Sequence, residues 1–456
     1  MTSIHTQDTD GVAPAQFAWA VIAVAIGLVM AVLDSAIANI ALPTIARDLQ
    51  VTDAQSIWVV NSYQLAVTMS LLPLASLGEV FGYRRVHIFG LVLFVVASLL
   101  CALSGSLAVL TVSRVLQGLG AAGMLSVNVA LIRFIFPRRR LGSGIAMNAM
   151  VGSVATAVGP TIASAILSVA HWPWLFAVNV PIGLFALLAA WRALPQTATT
   201  SSYDAISAVL SAATFGLFIS GLDGLAHGQQ PVLVAAELIG TAVIGTLLIR
   251  RQMTITSPML PVDLLRLPLF ALSVASAVAC FVAQGAAYVA MPFLLQNTLG
   301  FSQVSTGFLL TPWPLGVVVI SPLAGRLADR YPAAILGGIG LAAMAAGVFL
   351  MATLPAHSSD FAIIWRTAVC GIGFGFFNAP NNRAMIDATP PHRSGSASGL
   401  LATGRILGQT IGAALVAMCF EITPAHGATL ALLVGAGFAA FAALASLMRI
   451  AAPSEV

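Results

Sequence analysis

Long apolar runs recur along the whole chain, each closed by a short polar stretch. A helix needs about 20 consecutive apolar residues to cross a bilayer. The runs predict spans at 17–41, 55–79, 86–104, 107–134, 143–169, 174–193, 204–224, 231–250, 269–296, 303–327, 333–354, 360–385, 395–420 and 427–449. That is fourteen, and the fold class they imply is all-α: a polytopic membrane protein. Composition agrees. The 456 residues are 59% hydrophobic and 7% charged, with mean hydropathy +0.98. A soluble domain carries about 25% charged residues, so this chain lacks the charge to cover a water-facing surface.

The few charges give direction. The chain has no lysine, and its nineteen cations are all arginine. Fifteen fall at one set of segment ends, including Arg84, Arg85, Arg138, Arg139, Arg140, Arg192, Arg250, Arg251, Arg266, Arg326, Arg330, Arg383, Arg393 and Arg449. Arg47 alone falls at the other set, and Arg114, Arg366 and Arg405 lie within segments. Positive loops stay on the cytoplasmic side, so the split predicts cytoplasmic termini in an inner membrane. A net charge of +4 then serves topology and not nucleic acid. Residues 1–16 read as a cytoplasmic tail without the basic front of a signal peptide. Cys101, Cys280, Cys370 and Cys419 each sit in an apolar run and read as packing residues.

The chain also repeats itself after about 250 residues. Glu79–Arg85 recurs as Gly325–Arg330, and Arg114 recurs as Arg366. Asp34 maps onto Gln284, a neutral amide. Such duplication is common in transporters. It divides the chain into six-helix bundles at 17–193 and 269–449, two inserted helices at 204–250, and a proline-bearing interfacial connector at 251–268.

Several motifs occur in order. The first span carries Leu33-Asp34-Ser35-Ala36-Ile37-Ala38-Asn39-Ile40-Ala41-Leu42-Pro43. The fourth carries Arg114, Gln117, Gly118 and Gly120, and the fifth carries Gly159-Pro160. His171-Trp172-Pro173-Trp174 leads to Asn179-Val180-Pro181-Ile182-Gly183. Asn378-Ala379-Pro380-Asn381-Asn382 is followed by Gly395 and Gly399. Together these resemble the fourteen-helix drug:proton antiporter branch of the major facilitator superfamily, over nearly the whole chain. The loop after the second span departs from the family pattern at Ala75, Val80 and Tyr83, and Ala163-Ser164 replaces a glycine pair. The resemblance implies proton-coupled efflux of amphipathic or cationic drugs and antiseptics by alternating access, without a cofactor. It implies a small-molecule substrate, protons and lipid as partners, and action as a monomer.

Residue chemistry fits that picture. At 1.5 Å per residue, Asp34 and Arg114 both lie roughly 10 Å below one membrane surface. A lone charge there costs several kcal/mol, so each group needs a partner. Their pair reads either as a proton site or as a permanent structural bridge, and the resemblance points to the first. Arg366 has no obvious acid and is expected to bond carbonyls or meet Gln284. Arg405, with Gln409 one turn on, either attracts an anionic group or clamps two helices, the clamp being preferred. Candidate cavity residues are Trp58, Asn61, Tyr63, Gln64, Gln284, Tyr288, Trp313, Phe377, Asn378 and Arg405. Glu79, Arg84, Arg85, Asp329 and Arg330 read as a cytoplasmic latch. Gly159-Pro160 reads as a kink with close helix contact. Glu237 and Asp223 belong to the inserted pair, and Glu421 and Asp387 lie near span ends.

Other classes find little support. The chain has no His-Glu-x-x-His or Gly-x-Ser-x-Gly motif, and a Walker loop needs a lysine. Export of an endogenous metabolite or lipid remains an alternative within transport. A membrane sensor or scaffold is the alternative outside it.

Overall fold

Among its described residues the computed structural model has fourteen helices long and apolar enough to cross a membrane. Residues 11–196, 204–226, 229–255, 260, 262–389 and 394–450 are described. The side chains of Arg138, Ala146, Ala149, Ser153, Asp223, Ala226, Ile386, Asp387 and residues 394–399 are not. The expectations placed on Arg393, Asp223, Asp387, Gly395 and Gly399 therefore lie outside the described residues. The spans are α1 (Pro14–Asp48), α2 (Asp53–Phe81), α3 (Tyr83–Ala102), α4 (Leu107–Ile135), α5 (Leu141–Val169), α6 (Trp174–Ala193) and α7 (Ala205–Leu222). Then come α8 (Pro231–Gln252), α9 (Pro268–Thr298), α10 (Gln303–Leu327), α11 (Ala333–Ala352), α12 (Asp360–Met385), α13 (Leu400–Ile422) and α14 (Gly427–Met448).

Local chemistry starts these helices where the polar breaks lie. Thr52 and Gln55 form a reciprocal capping box before α2, each bond 3.1 Å. Ser106 caps α4 and Ser302 caps α10 through the amides of Val109 and Ser305. Pro14, Pro231 and Pro268 occupy first turns, where the missing N–H is no loss. The last turn of α9, Leu294–Thr298, is π-helical.

Packing repeats with an offset of eight helices. The neighbours α1–α5, α1–α6, α2–α4, α3–α4 and α3–α6 recur as α9–α13, α9–α14, α10–α12, α11–α12 and α11–α14. The halves meet mainly along α5–α10 and α2–α13, with α1 touching α9. Helix α7 lies against both α2 and α13, and α8 packs on α7. Only 11% of the apolar window of α8 is buried, against 67% for α9. The inserted pair is peripheral, and α9 is central.

One end of the bundle gathers the arginine-rich loops, and the other is termed the opposite end. At the opposite end the halves are packed together. A single apolar cluster runs from Leu42, Ile45 and Phe176 to Met291, Leu294 and Phe420. Gln296 Nε2 donates to the Ile40 carbonyl at 2.9 Å, and Asn297 Nδ2 donates to Asp53 at 2.8 Å. Thr161 and Thr311 hydroxyls lie 2.9 Å apart across α5 and α10.

At the arginine-rich end the interactions of the expected latch stay within a half. Arg84 donates to the Trp191 carbonyl, and Asp329 pairs with Arg383 of α12. Glu79, Arg85 and Arg330 are exposed. Arg449, expected among the arginines at the segment ends, is more than a topology-setting charge. It is buried and donates five hydrogen bonds, to Ser273, Asn381, Ala333 and twice to Ser446. Burial pulls its guanidinium down to about 10, so it stays charged at neutral pH and ties four helices.

Candidate functional site

Asp34 of α1 is 2% exposed and Arg114 of α4 is fully buried. Arg114 Nη1 forms an ion pair with Asp34 Oδ2. The other carboxylate oxygen accepts from Gln117 Nε2 at 2.8 Å and from Asn179 Nδ2 at 3.0 Å. Gln117 also donates to Ser98 Oγ at 2.9 Å and accepts from Arg114 Nη1 at 2.6 Å. Arg114 Nε donates to the Val59 carbonyl at 2.8 Å. Helices α1, α2, α3, α4 and α6 thus converge on one carboxylate. Burial of both ions is tolerable because the remaining lone pairs and protons are mostly met by neutral groups. Arg114 Nη2 is the exception, buried without a partner.

The close approach of α2 and α4 makes this reach possible. A Cβ at Gly118 would lie 2.5 Å from the Tyr63 carbonyl oxygen, so a side chain there would force the helices apart. Tyr63 then stands over the ion pair. Its ring centroid is 4.3 Å from Arg114 Cζ, and its hydroxyl donates to the Ala31 carbonyl at 2.9 Å. Phe176 covers Arg114 from another side at 5.4 Å.

Tyr63 also lines a central cavity between the halves, about 770 Å³ of empty space with its opening to solvent included. Helices α1, α2, α4, α5, α9 and α13 contribute its walls. Val32, Val67, Leu125, Val289 and Ile406 make it apolar, while Asn39, Gln64, Tyr288, Gln409 and Arg405 supply polar groups. Among the described residues the lining holds a single formal charge, the Arg405 guanidinium, and Asp34 is not part of it. Arg405 is exposed into this space, and among the described residues it forms no hydrogen bond or ion pair. The expected helix clamp is therefore absent. Gln409 bonds Gln284 instead, at 3.1 Å. A Cβ at Gly285 would lie 2.6 Å from the Gln409 carbonyl, so α9 and α13 are in backbone contact beside the cavity.

Of the cavity candidates, Tyr63, Gln64, Tyr288 and Arg405 line the space. Six do not. Trp313 is 1% exposed and packs edge-on against Tyr288 at 5.1 Å. Phe377 is buried against the glycine face of α11, at Gly337 and Gly340. Gln284 stands one residue behind the wall, through Gln409. Asn61 is buried with its amide unpartnered, and Trp58 and Asn378 are half-buried outside the lining. Arg366 does not meet Gln284. It donates to the Ala362 carbonyl at 2.7 Å and lies over the Trp365 ring. Gly159 admits Ala36 of α1, and the Pro160 carbonyl abuts Gly307 of α10. Glu237 bonds Ser220 at 2.8 Å within the inserted pair.

Sequence reasoning missed Asn179 and Ser98 in the charge network, Asn39 and Thr156 in the cavity, and the contacts of Asp53, Gln296 and Asn297. A polar residue isolated in an apolar span was the available signal for Asn39 and Asn179.

The profile of the Major Facilitator Superfamily matches residues 24–291 and 274–456. The chain belongs to this family. Its members are membrane transporters, and the chain is a multi-pass transporter of that fold. It is 52% identical over 447 residues to "Uncharacterized transporter YebQ" of Escherichia coli (strain K12), covering 97% of this chain and 98% of that one. It is 30% identical to "Riboflavin transporter RibZ" of Clostridioides difficile (strain 630), covering 88% and 87%. It is also 30% identical to "Multidrug resistance protein Stp" of Mycobacterium tuberculosis (strain CDC 1551 / Oshkosh), covering 87% and 74%.

Proposed function

We propose that this transporter exports amphipathic small molecules in exchange for protons, by alternating access. The arginine-rich end is then cytoplasmic, both termini lie on the cytoplasmic side of the inner membrane, and the state described is closed to the outside. One observation carries the reading. The buried carboxylate is screened from the cavity by Tyr63, which touches the Arg114 side of the ion pair and the cargo space together. Protonation of Asp34 removes the charge that holds Arg114. A buried cation left alone is costly, so the network has reason to rearrange, and Tyr63 passes the change to the cavity wall. Cargo pressing on Tyr63 does the reverse. The acidic and arginine residues of the arginine-rich end, Glu79, Arg84, Arg85, Asp329 and Arg330, then latch the halves in the outward-facing state.

The relative named a multidrug resistance protein agrees with broad amphipathic cargo. The cationic part of the expectation fits poorly, since among the described residues the lining has a guanidinium and no carboxylate. Export of a metabolite is the second reading. It gains from the riboflavin-transporting relative and from the amides of Asn39 and Gln64, which suit a flat polar ring. Efflux from cells over a panel of amphipaths, with and without a collapsed proton gradient, tests the proposal. Gradient-dependent efflux is expected, and efflux indifferent to the gradient would contradict it.

A further inference from the structure

We infer that the central cavity binds amphipathic organic acids, with the cargo's anionic head seated on Arg405. This rests on the transport reading and names its substrate class. Arg405 has neither an acid nor a hydrogen-bond acceptor among the described residues, yet it stands at membrane depth on α13. Arg449, a buried arginine of the second half, shows what a structural arginine does here: it spends its donors on five acceptors. Arg114 likewise has its acid. Arg405 keeps its donors for the cavity. A guanidinium in low-dielectric surroundings binds a carboxylate or sulfonate through paired, charge-assisted bonds.

Independent observations point the same way. The amide oxygens of Asn39 and Gln64 are buried without partners on the wall formed by the first half, leaving those side chains uncommitted. A cargo molecule with a polar group beyond its anionic head can therefore be read at two places. Val32, Val67, Leu125, Val289 and Ile406 supply the apolar surface for its body. Among the described residues no lining carboxylate offsets the guanidinium, so a cationic head is repelled at Arg405.

Three probes with one ring system separate the possibilities: 2-naphthoate, 2-naphthalenemethanol and 2-naphthylmethylammonium. Binding is measured by calorimetry on the purified full-length protein in nanodiscs of zwitterionic lipid, so no anionic headgroup competes. Wild type should bind naphthoate at least about tenfold more tightly than the alcohol, and the ammonium most weakly. Arg405→Gln should lose that tenfold preference while holding the alcohol as before, and Arg405→Lys should retain part of it. Equal binding of the three probes by wild type, tighter binding of the ammonium, or no naphthoate binding overturns the inference. So does a folded Arg405→Gln protein that keeps the preference. If that variant fails to fold, the wild-type ranking and Arg405→Lys decide alone.

A separate flux assay keeps the transport reading distinct. Naphthoate movement in proteoliposomes is followed with and without an imposed pH gradient. Binding that depends on Arg405 without gradient-driven movement leaves the anion seat standing and removes proton coupling. Gradient-driven movement of the alcohol or ammonium, with no preference for naphthoate, does the opposite.

Discussion

At the scale of single residues, Asp34 and Arg114 carry different burdens. Asp34→Asn keeps a side chain that can still bond Gln117 and Asn179 but can no longer take up and release a proton. Gradient-driven transport should fall at least about tenfold, at the level of a lost essential proton carrier, with the protein still folded in size-exclusion and melting assays. Arg114→Ala leaves a buried carboxylate without its cation, which costs about 3–5 kcal/mol. The expected outcome is a clearly lowered melting temperature together with lost transport, and an unchanged protein would remove the bridge from the account. Tyr63 touches Arg114 and the cavity at once, and its hydroxyl ties it to the Ala31 carbonyl. These residues were legible because charge is rare in an apolar run and each ion requires a neighbour. The direction in which a side chain points was less so. Trp313, Phe377 and Tyr288 look alike in sequence, and only packing decides that Tyr288 faces the cavity and Trp313 lies behind it.

At the scale of elements, close approach sets the site. Gly118 lets α4 reach α2, and Gly118→Ala puts a methyl group against the Tyr63 carbonyl. Transport should drop sharply, with a loss of stability of about 1–3 kcal/mol from overpacking, measured by thermal melting beside the transport assay. The inserted pair is held at its arginine-rich end by a different device. Arg251 Nη2 lies 2.8 Å from Asp204, and Ser207 bonds both. Partial burial pushes the Asp204 carboxyl up, but the bonds from Arg251 and Ser207 outweigh it and hold it below the usual carboxylate range. A lowered acid stabilises the fold above its unfolded pKa and loses that contribution as pH falls through the folded one. The melting difference between wild type and Asp204→Asn should therefore be present at neutral pH and shrink below about pH 4. A difference that grows on acidification would contradict this. The spans themselves were readable from hydropathy, but α1 runs to Asp48, beyond the expected end at residue 41. The π-helical turn Leu294–Thr298 left no mark in the apolar pattern, because it serves contacts of Gln296 and Asn297 with Ile40 and Asp53 in the other half.

For the whole molecule, the two halves pack alike and their interfaces do not. The α2–α13 seam is covered by α7, while among the described residues the inserted pair leaves α5–α10 without such a neighbour. The opposite end is joined by Gln296 with Ile40, Asn297 with Asp53, and Thr161 with Thr311. Alternating access requires these contacts to part. Cysteines at positions 53 and 297 should form a disulfide that stops transport and should release it on reduction. The four native cysteines are buried and free, which keeps the background low. Transport continuing through the cross-link would mean that this end does not open. The eightfold helix offset was foreshadowed by the repeated loop and arginine motifs, yet the sequence alone left the conformational state unread, since the same residues serve both states.

The most direct measurement is proton movement coupled to an imposed gradient of amphipathic cargo, in proteoliposomes of wild type and of Asp34→Asn. Cargo-dependent acidification or alkalinisation with wild type, absent with the variant while both proteins insert equally, is the result expected of a buried carboxylate that trades its proton for cargo. Equal proton movement in the two, or cargo movement in wild type with no proton movement at all, would contradict it.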